Sequence, residues 1–245
     1  MNVFFVFAAL ALAGGAAVLP IAGASAERTA PARAKFWSFV WMNAVMLGLS
    51  AAPAPVFDSA AGMLAAAGMW EAVRCAWIKR QNGTVRPAVF AAASGLVLLL
   101  LPCLAAGLAA VHGAAPHGAA VAFLIVCVAA NDAFAQIGGH LIGRTPLARR
   151  LSPKKTWEGA ACGFAAAVVC GAILGNTLPA GTATRGASLG AILAVAGTVG
   201  DLVFSSWKRA VGVKDFSSLL GPHGGILDRF DSLLFAALVA AWVLR

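Results

Sequence analysis

Charged residues are scarce in this sequence, at 11% of 245 residues, and tyrosine is absent. A soluble globular domain typically carries roughly a quarter charged residues, so the scarcity excludes a fold whose main solvent is water. Hydrophobic residues make up 61%, and glycine is abundant, as is typical of helices that pack closely in lipid. The composition therefore predicts a single integral membrane domain over residues 1–245.

Acidic residues are the scarcer charge, with nine Asp and Glu against eighteen Lys and Arg. The basic residues form short clusters between apolar stretches and not one stripe, so we expect no nucleic-acid partner. The five cysteines all lie inside apolar stretches, without the spacing of metal ligands. The sequence thus predicts no cysteine-based metal site.

Eight apolar stretches are candidate membrane helices, since a helix needs about 20 apolar residues to cross the hydrocarbon core. They lie at 1–23, 36–53, 59–78, 88–111, 118–137, 159–178, 187–206 and 232–244. The last stretch is short, and its full crossing is left open. The predicted fold class is all-α, a polytopic membrane protein with about eight transmembrane helices.

Lys and Arg alternate from loop to loop along the chain. The loops at 27–35, 79–86, 144–158 and 207–231 carry fifteen of the eighteen basic residues, whereas the intervening loops carry only Arg185. Positive residues are retained on the cytoplasmic side of a membrane. The pattern predicts that the basic loops face the cytoplasm, and a bacterial inner membrane is the expected location.

Ionisable residues within membrane segments are costly, so each is a candidate for function. Glu71 and Arg74 are three residues apart and share a helical face, which favours a structural ion pair over a catalytic role. For Asp132 a functional and a structural role are equally favoured, and the glycines at 138–139 are expected to loosen its helix and admit water.

A polar stripe precedes the last basic loop. Asp201, Ser205 and Lys208 stand at i, i+4 and i+7, which places them on one side of a helix. The stripe could line a polar cavity, or it could be a helix end whose cations complement the dipole. Spacing alone leaves both interpretations open.

The loop after this stripe concentrates glycines, cations and carboxylates. Its polar and glycine residues include Lys208, Arg209, Lys214, Asp215, Gly221, His223, Gly224, Gly225, Asp228, Arg229 and Asp231. Carboxylates with substrate phosphates suit Mg²⁺, cations neutralise phosphate, and glycines let backbone N–H groups approach phosphate oxygens. The loop predicts a phosphoryl or nucleotidyl transfer site, in which His223 binds phosphate or backbone and is not a general base.

The order of residues over 205–231 resembles the signature of phosphatidate cytidylyltransferases. It reads Ser-x-x-Lys-Arg-x4-Lys-Asp and then His-Gly-Gly-x-x-Asp-Arg-x-Asp. A second block also resembles the family, with Asn-Asp-x-Phe-Ala at 131–135 and Ser-Pro-Lys-Lys-Thr-Trp-Glu-Gly at 152–159. The resemblance places the catalytic half at about 118–245.

The resemblance implies that CTP and phosphatidic acid react to give CDP-diacylglycerol and pyrophosphate. It implies a divalent cation, Mg²⁺, and leaves a second cation open. The expected metal ligands are Asp201 and Asp228, with Asp132 and Asp231 as further carboxylates of the site. The expected catalytic or phosphate-binding residues are Lys208, Arg209, Arg229, Lys214, Ser205, His223, Gly224, Gly225, Ser152, Lys154 and Lys155.

Three further expectations concern local roles. Ser152 and Pro153 are expected to cap the next helix. Asp228→Asn is expected to lower turnover while sparing the fold, and Ser217→Ala in the same loop is expected to be nearly silent. The expected partners are CTP, phosphatidic acid and membrane lipid, with a homodimer as one candidate assembly.

Two alternatives remain at the level of the sequence. Phe204 stands where the family usually has Glu, which leaves open a catalytically inactive homologue. A non-enzymatic transporter is the other alternative, since membrane-embedded charges often mark a translocation path. A transporter's charges should recur across internal repeats, whereas these charges gather at one end.

Overall fold

The computed structural model describes residues 26–219 and 224–244, with side chains from residue 37 onward. The predicted first membrane segment, 1–23, lies outside the described residues. The described chain contains seven helices: α1 (Ala26–Ser50), α2 (Ala54–Gln81), α3 (Pro87–Gly113), α4 (Ala119–Leu141), α5 (Trp157–Leu174), α6 (Ala183–Val211) and α7 (Leu227–Val243). Each matches one of the predicted apolar stretches, so the helical architecture is confirmed.

Four of the described helical stretches are long and apolar enough to cross a membrane, and the chain is integral to one. They are Pro87–Gly113, Pro116–Leu141, Trp157–Thr177 and Ala183–Val211. Helix α7 has 17 residues, as short as the sequence predicts. A count of about eight crossings is therefore not confirmed by the described helices.

A small hairpin interrupts the helices. Strand β1 (Pro146–Ala148) pairs antiparallel with β2 (Ser152–Thr156), and Pro146 lies opposite Thr156. The predicted cap at Ser152 and Pro153 is wrong, because both residues belong to β2 and α5 begins at Trp157. The Oγ1 atom of Thr156 accepts a hydrogen bond from the N–H of Gly159 at 3.1 Å, which makes Thr156 the cap.

The described chain forms two compact units, each built from two stretches. The first unit contains 26–52 and 115–195, and the second contains 53–114 and 196–244, without the undescribed residues of that stretch. Helix α6 contributes residues to both. The single membrane domain predicted from composition stays a prediction.

Glycines bring α4 and α5 close together in the first unit. A Cβ atom at Gly138 would lie 2.6 Å from the Sγ atom of Cys162, and one at Gly163 would lie 2.9 Å from Oδ1 of Asn131. Helix α4 runs unbroken to Leu141. The expectation that the glycines at 138–139 loosen this helix is therefore wrong: they let a neighbouring helix approach.

The second unit has its apolar core between α2, α3, α6 and α7. Its members include Val97, Leu101, Leu104, Phe204, Trp207, Phe216, Leu227 and Leu234. Gly107 allows close approach of the α7 backbone, since a Cβ there would lie 2.9 Å from Cα of Leu238. The motif loop connects the end of α6 to the start of α7, and the structure describes its residues 212–219 and 224–226.

Candidate active site

One lysine and two aspartates from α6 and α7 form the centre of the second unit's polar region. The Nζ atom of Lys208 lies 2.7 Å from Oδ1 of Asp228 and 3.8 Å from Oδ2 of Asp231. The three side chains are 10%, 4% and 8% exposed, so their charges are largely removed from water. Buried charges persist when they are paired, and this lysine–aspartate cluster satisfies that condition.

Asp228 also fixes the backbone of the loop that precedes it. Its Oδ2 atom accepts hydrogen bonds from the N–H groups of Phe216, at 2.8 Å, and Gly225, at 2.9 Å. Gly224 has a φ of +79°, a conformation that favours glycine, and a Cβ there would lie 2.9 Å from the same oxygen. One carboxylate thus joins both ends of the described loop to Lys208.

A second buried carboxylate reaches the loop from α2. Glu71 is 2% exposed, and its Oε1 atom accepts hydrogen bonds from the hydroxyl of Ser217 at 2.7 Å and the N–H of Ile226 at 3.1 Å. Its Oε2 atom accepts from the N–H of Leu227 at 3.0 Å. The carboxylate therefore caps the first turn of α7, where negative charge is favourable.

The predicted ion pair between Glu71 and Arg74 is wrong. Glu71 is bonded to the loop and to α7, while the guanidinium of Arg74 lies 4.8 Å from the ring centre of Trp70. The spacing places both residues near one another along the helix, but it carries no information on partners from distant parts of the chain.

A cluster of three aromatic residues packs beside Lys208. The ring of Phe216 lies 5.1 Å from Nζ of Lys208 and packs against Trp207 at 4.9 Å and Phe204 at 6.2 Å between ring centres. Trp207 donates a hydrogen bond from Nε1 to the carbonyl oxygen of Ala93 at 2.9 Å. The phenylalanine that replaces the usual glutamate is therefore a buried core residue here.

The predicted polar stripe on α6 is present. The hydroxyl of Ser205 donates to Oδ1 of Asp201 at 3.2 Å, and the helix continues without a break to Lys208. Ser205 is buried and Asp201 is half-buried. Lys208 lies in the last turn of α6, as a helix-end role requires, and it also contacts two carboxylates of α7, which that role alone does not require.

The remaining predicted cations of this loop lie toward solvent. Arg209, Lys214 and Arg229 are exposed, and Arg209 donates from Nη1 to the carbonyl oxygen of Val213 at 3.0 Å. These side chains differ from Lys208, which is held inside the cluster. His223 lies outside the described residues.

The other predicted phosphate-binding residues lie in the first unit, on the hairpin. Lys154 is exposed and Lys155 and Ser152 are half-buried, all on β2. The carboxylate of Glu158 accepts hydrogen bonds from the N–H of Arg144 at 3.1 Å and that of Thr145 at 3.1 Å, which ties the start of the hairpin to α5. The backbone that carries the lysines is therefore fixed locally.

Asp132 also lies in the first unit, on α4. It is half-buried, and its Oδ1 atom is 3.3 Å from Nδ2 of Asn131, which donates to it. The structure thus places the predicted carboxylates Asp201, Asp228 and Asp231 in one unit and Asp132 in the other.

The donor chemistry fits Mg²⁺ when a substrate completes the site. Among the described residues no group of three or more His, Cys, Asp or Glu side chains is arranged to hold a metal. Mg²⁺ is commonly bound by one or two carboxylates, waters and substrate phosphates. A carboxylate offers about four acceptor positions, and the described donors to Asp228 occupy three. One acceptor position of Asp228 therefore remains for a cation, and ligation of Mg²⁺ by Asp201 and Asp228 stays a prediction.

Sequence reasoning missed Glu71 and Ser217 as parts of this region. Glu71 was assigned to Arg74, and Ser217 was treated as a neutral loop position. An acid inside the apolar stretch of α2 is the signal for Glu71, but its partners lie 146 and more positions away. The hydroxyl of Ser217 carried no signal at all.

Comparison with known proteins agrees with the motif resemblance. The sequence model described as "Cytidylyltransferase family" matches residues 3–245. A phosphatidate cytidylyltransferase of Mycobacterium leprae is 45% identical over 121 residues, 48% of this chain and 38% of that protein. One from Helicobacter pylori strain J99 is 43% identical over 119 residues, 49% and 44% of the two chains. One from Brucella abortus is 39% identical over 134 residues, which are 54% of this chain and 50% of that protein. The matches span at most half the length of these relatives.

Proposed function

Because this chain belongs to the cytidylyltransferase family, we propose that it transfers the cytidylyl group of CTP to phosphatidic acid. An oxygen of the lipid phosphate would bond to the α-phosphorus of CTP. The bond from that phosphorus to the bridging oxygen would break, and pyrophosphate would leave with the electron pair. The products are CDP-diacylglycerol and pyrophosphate.

The lysine–aspartate cluster is the observation that carries this proposal. Such a transfer needs little covalent chemistry from the protein and depends on positioning and charge neutralisation. Lys208 has three N–H donors on its ammonium group, and two carboxylates hold that group in place. We assign the remaining donor capacity to a substrate phosphate.

The other cations of the two motif segments would bind the rest of the two phosphate-bearing substrates. Arg209, Lys214 and Arg229 surround the loop of the second unit, and Lys154 and Lys155 occupy β2 in the first unit. Arginine presents a planar fork of donors that matches phosphate oxygens, and lysine adds a compact positive charge, so both suit long, negatively charged substrates. His223, Gly224 and Gly225 stay in this proposal as candidate contacts of phosphate.

Mg²⁺ is the proposed cofactor, with Asp201 and Asp228 as the residues that would hold it and Asp132 and Asp231 as further candidates. When bound, it supplies charge stabilisation to the transferring phosphate. A second cation remains part of the proposal. The protein's own contribution is the fixed direction of the Asp228 carboxylate, which three donors hold.

We place the protein in a bacterial inner membrane with about eight crossings and both basic motif segments facing the cytoplasm. The concentration of Lys and Arg in 144–158 and 207–231 supports this orientation, and the bacterial source of the relatives supports a bacterial membrane. A cysteine at Ser218 or Arg149, both exposed, should resist an impermeant thiol reagent added outside intact cells. Labelling at either position above the wild-type background would reverse the orientation. A homodimer can be tested by mass measurement in lipid nanodiscs.

The deciding experiment uses purified chain in nanodiscs that contain phosphatidic acid, with CTP and Mg²⁺ added. We expect a CDP-lipid and pyrophosphate in equal amounts, and Lys208→Met should slow the formation of both by about a hundredfold. A folded wild-type protein that forms neither would show an inactive homologue. Uptake of CTP into sealed vesicles without product would indicate a transporter, which the family match does not favour.

A further inference from the structure

We infer that Glu71 is a positioning residue of the nucleotidyl transfer site, although no recognised motif contains it. The inference rests on the proposed function, because positioning has meaning only for a reaction. Glu71 lies on α2, whereas its three hydrogen-bond partners, Ser217, Ile226 and Leu227, lie 146 to 156 positions later in the chain. It joins a helix of the membrane bundle to the motif loop.

Burial makes these hydrogen bonds obligatory. A carboxylate that is 2% exposed is strongly destabilised unless donors replace the water it has lost. Glu71 finds them in one hydroxyl and two N–H groups at the start of α7. Those N–H groups have no partner within a helix, so the carboxylate and the helix end satisfy one another.

The absence of a side chain at Gly225 leaves room for the carboxylate of Glu71. A Cβ atom at this position would lie 2.6 Å from Oε2 and 2.9 Å from Oε1 of Glu71, closer than real Cβ contacts. The second glycine of the His-Gly-Gly motif is therefore required by the approach of Glu71. Gly224, by contrast, is required by its φ of +79° and its closeness to Asp228.

The consequence concerns the direction of Asp228. Glu71 holds Ser217 and the N–H groups of residues 226 and 227, while Asp228 holds the N–H groups of Phe216 and Gly225. The two carboxylates thus bind adjacent residues at both ends of the same segment. Asp228 stands one residue after the last N–H group that Glu71 binds, so loss of Glu71 frees the turn that directs Asp228 toward Lys208.

Glu71→Gln is the principal test, since it keeps the size of the side chain but replaces one acceptor oxygen with a donor. The matched control is Asp58→Asn, the same loss of charge at an exposed position of the same helix. We expect Glu71→Gln to lower kcat by about tenfold or more, with a smaller change in KM for CTP, because positioning is expressed in turnover. Asp58→Asn should match wild type.

Hydrogen–deuterium exchange supplies a readout independent of activity. In Glu71→Gln we expect faster exchange at residues 216–219 and 224–228 and unchanged exchange across 97–111 of α3. Faster exchange with an unaltered kcat would mean that Glu71 is only a structural cap, and it would overturn the inference. Unchanged exchange in Glu71→Gln would also overturn it. If Glu71→Gln fails to fold, Ser217→Ala with Ser218→Ala as its exposed control takes its place, with the same expectations at smaller amplitude.

The two proposals fail separately. A wild-type protein that forms no CDP-lipid would disprove the proposed function. The exchange measurement would then still decide whether Glu71 holds the segment. Normal wild-type turnover together with normal Glu71→Gln turnover would leave the function intact and remove Glu71 from the site.

Discussion

The two motif-bearing segments differ in what holds them. The loop of the second unit, 212–228, is bonded to two buried carboxylates, one of which comes from a distant helix. The hairpin of the first unit is held by its neighbours in the chain: Glu158, in the first turn of α5, accepts hydrogen bonds from the N–H groups before β1, and Thr156, the last residue of β2, caps α5. This chain therefore fixes one cation, Lys208, in a buried network of carboxylates. Two others, Lys154 and Lys155, lie on a strand that is supported by residues close to it in the sequence.

Asp228→Asn should produce the largest effect, since the change removes the negative charge that pairs with Lys208. We expect turnover to fall by about a hundredfold or more, as for loss of a group that stabilises the transferring phosphate. The earlier expectation that folding is spared does not hold for a side chain that is 4% exposed and bonded to three donors. The free energy of unfolding should fall by roughly 1–3 kcal/mol.

Turnover and thermal unfolding in nanodiscs measure both effects of this change. Ser217→Ala is not a silent control, because its hydroxyl binds Glu71, and Ser218→Ala is the suitable one. An Asp228→Asn protein with wild-type turnover would remove the second unit's loop from the catalytic centre.

Gly225→Ala should have the next largest effect. The new Cβ atom would meet both carboxylate oxygens of Glu71, and overpacking of this kind costs roughly 1–3 kcal/mol. We expect about a tenfold loss of turnover, because the segment that carries Asp228 must shift. Gly95→Ala is the control, since no atom lies within 4 Å of its Cβ position. Equal behaviour of the two variants would show that the loop is not held as tightly as described.

Thr156→Ala should have the smallest effect, because it affects only the local support of the hairpin. Loss of an N-cap typically costs about 1 kcal/mol of stability, and Thr156→Ser should restore most of it. Thermal unfolding measures the loss. A Thr156→Ala protein with turnover as low as that of Asp228→Asn would mean that the hairpin is held as part of the catalytic centre and would end the contrast between the segments.

Local patterns in the sequence predicted the helices and part of the site. Apolar stretches of membrane length gave the seven described helices, and the i, i+4, i+7 spacing correctly placed Asp201, Ser205 and Lys208 on one side of α6. The hairpin was missed because a five-residue strand of Ser, Pro, Lys and Thr has no hydrophobic alternation. Glu71 was misassigned because local spacing favours neighbours, whereas burial and capping depend on tertiary contacts.

The direct test of the contrast is a comparison of steady-state kinetics for two variants, Lys208→Met and the double change Lys154→Ala with Lys155→Ala. The account predicts that Lys208→Met lowers kcat by about a hundredfold, because a fixed charge acts on the transferring phosphate. The double change should raise KM for CTP or phosphatidic acid by about tenfold and leave kcat within a few-fold of wild type. A loss of kcat in the hairpin variant, with Lys208→Met affecting KM alone, would contradict it.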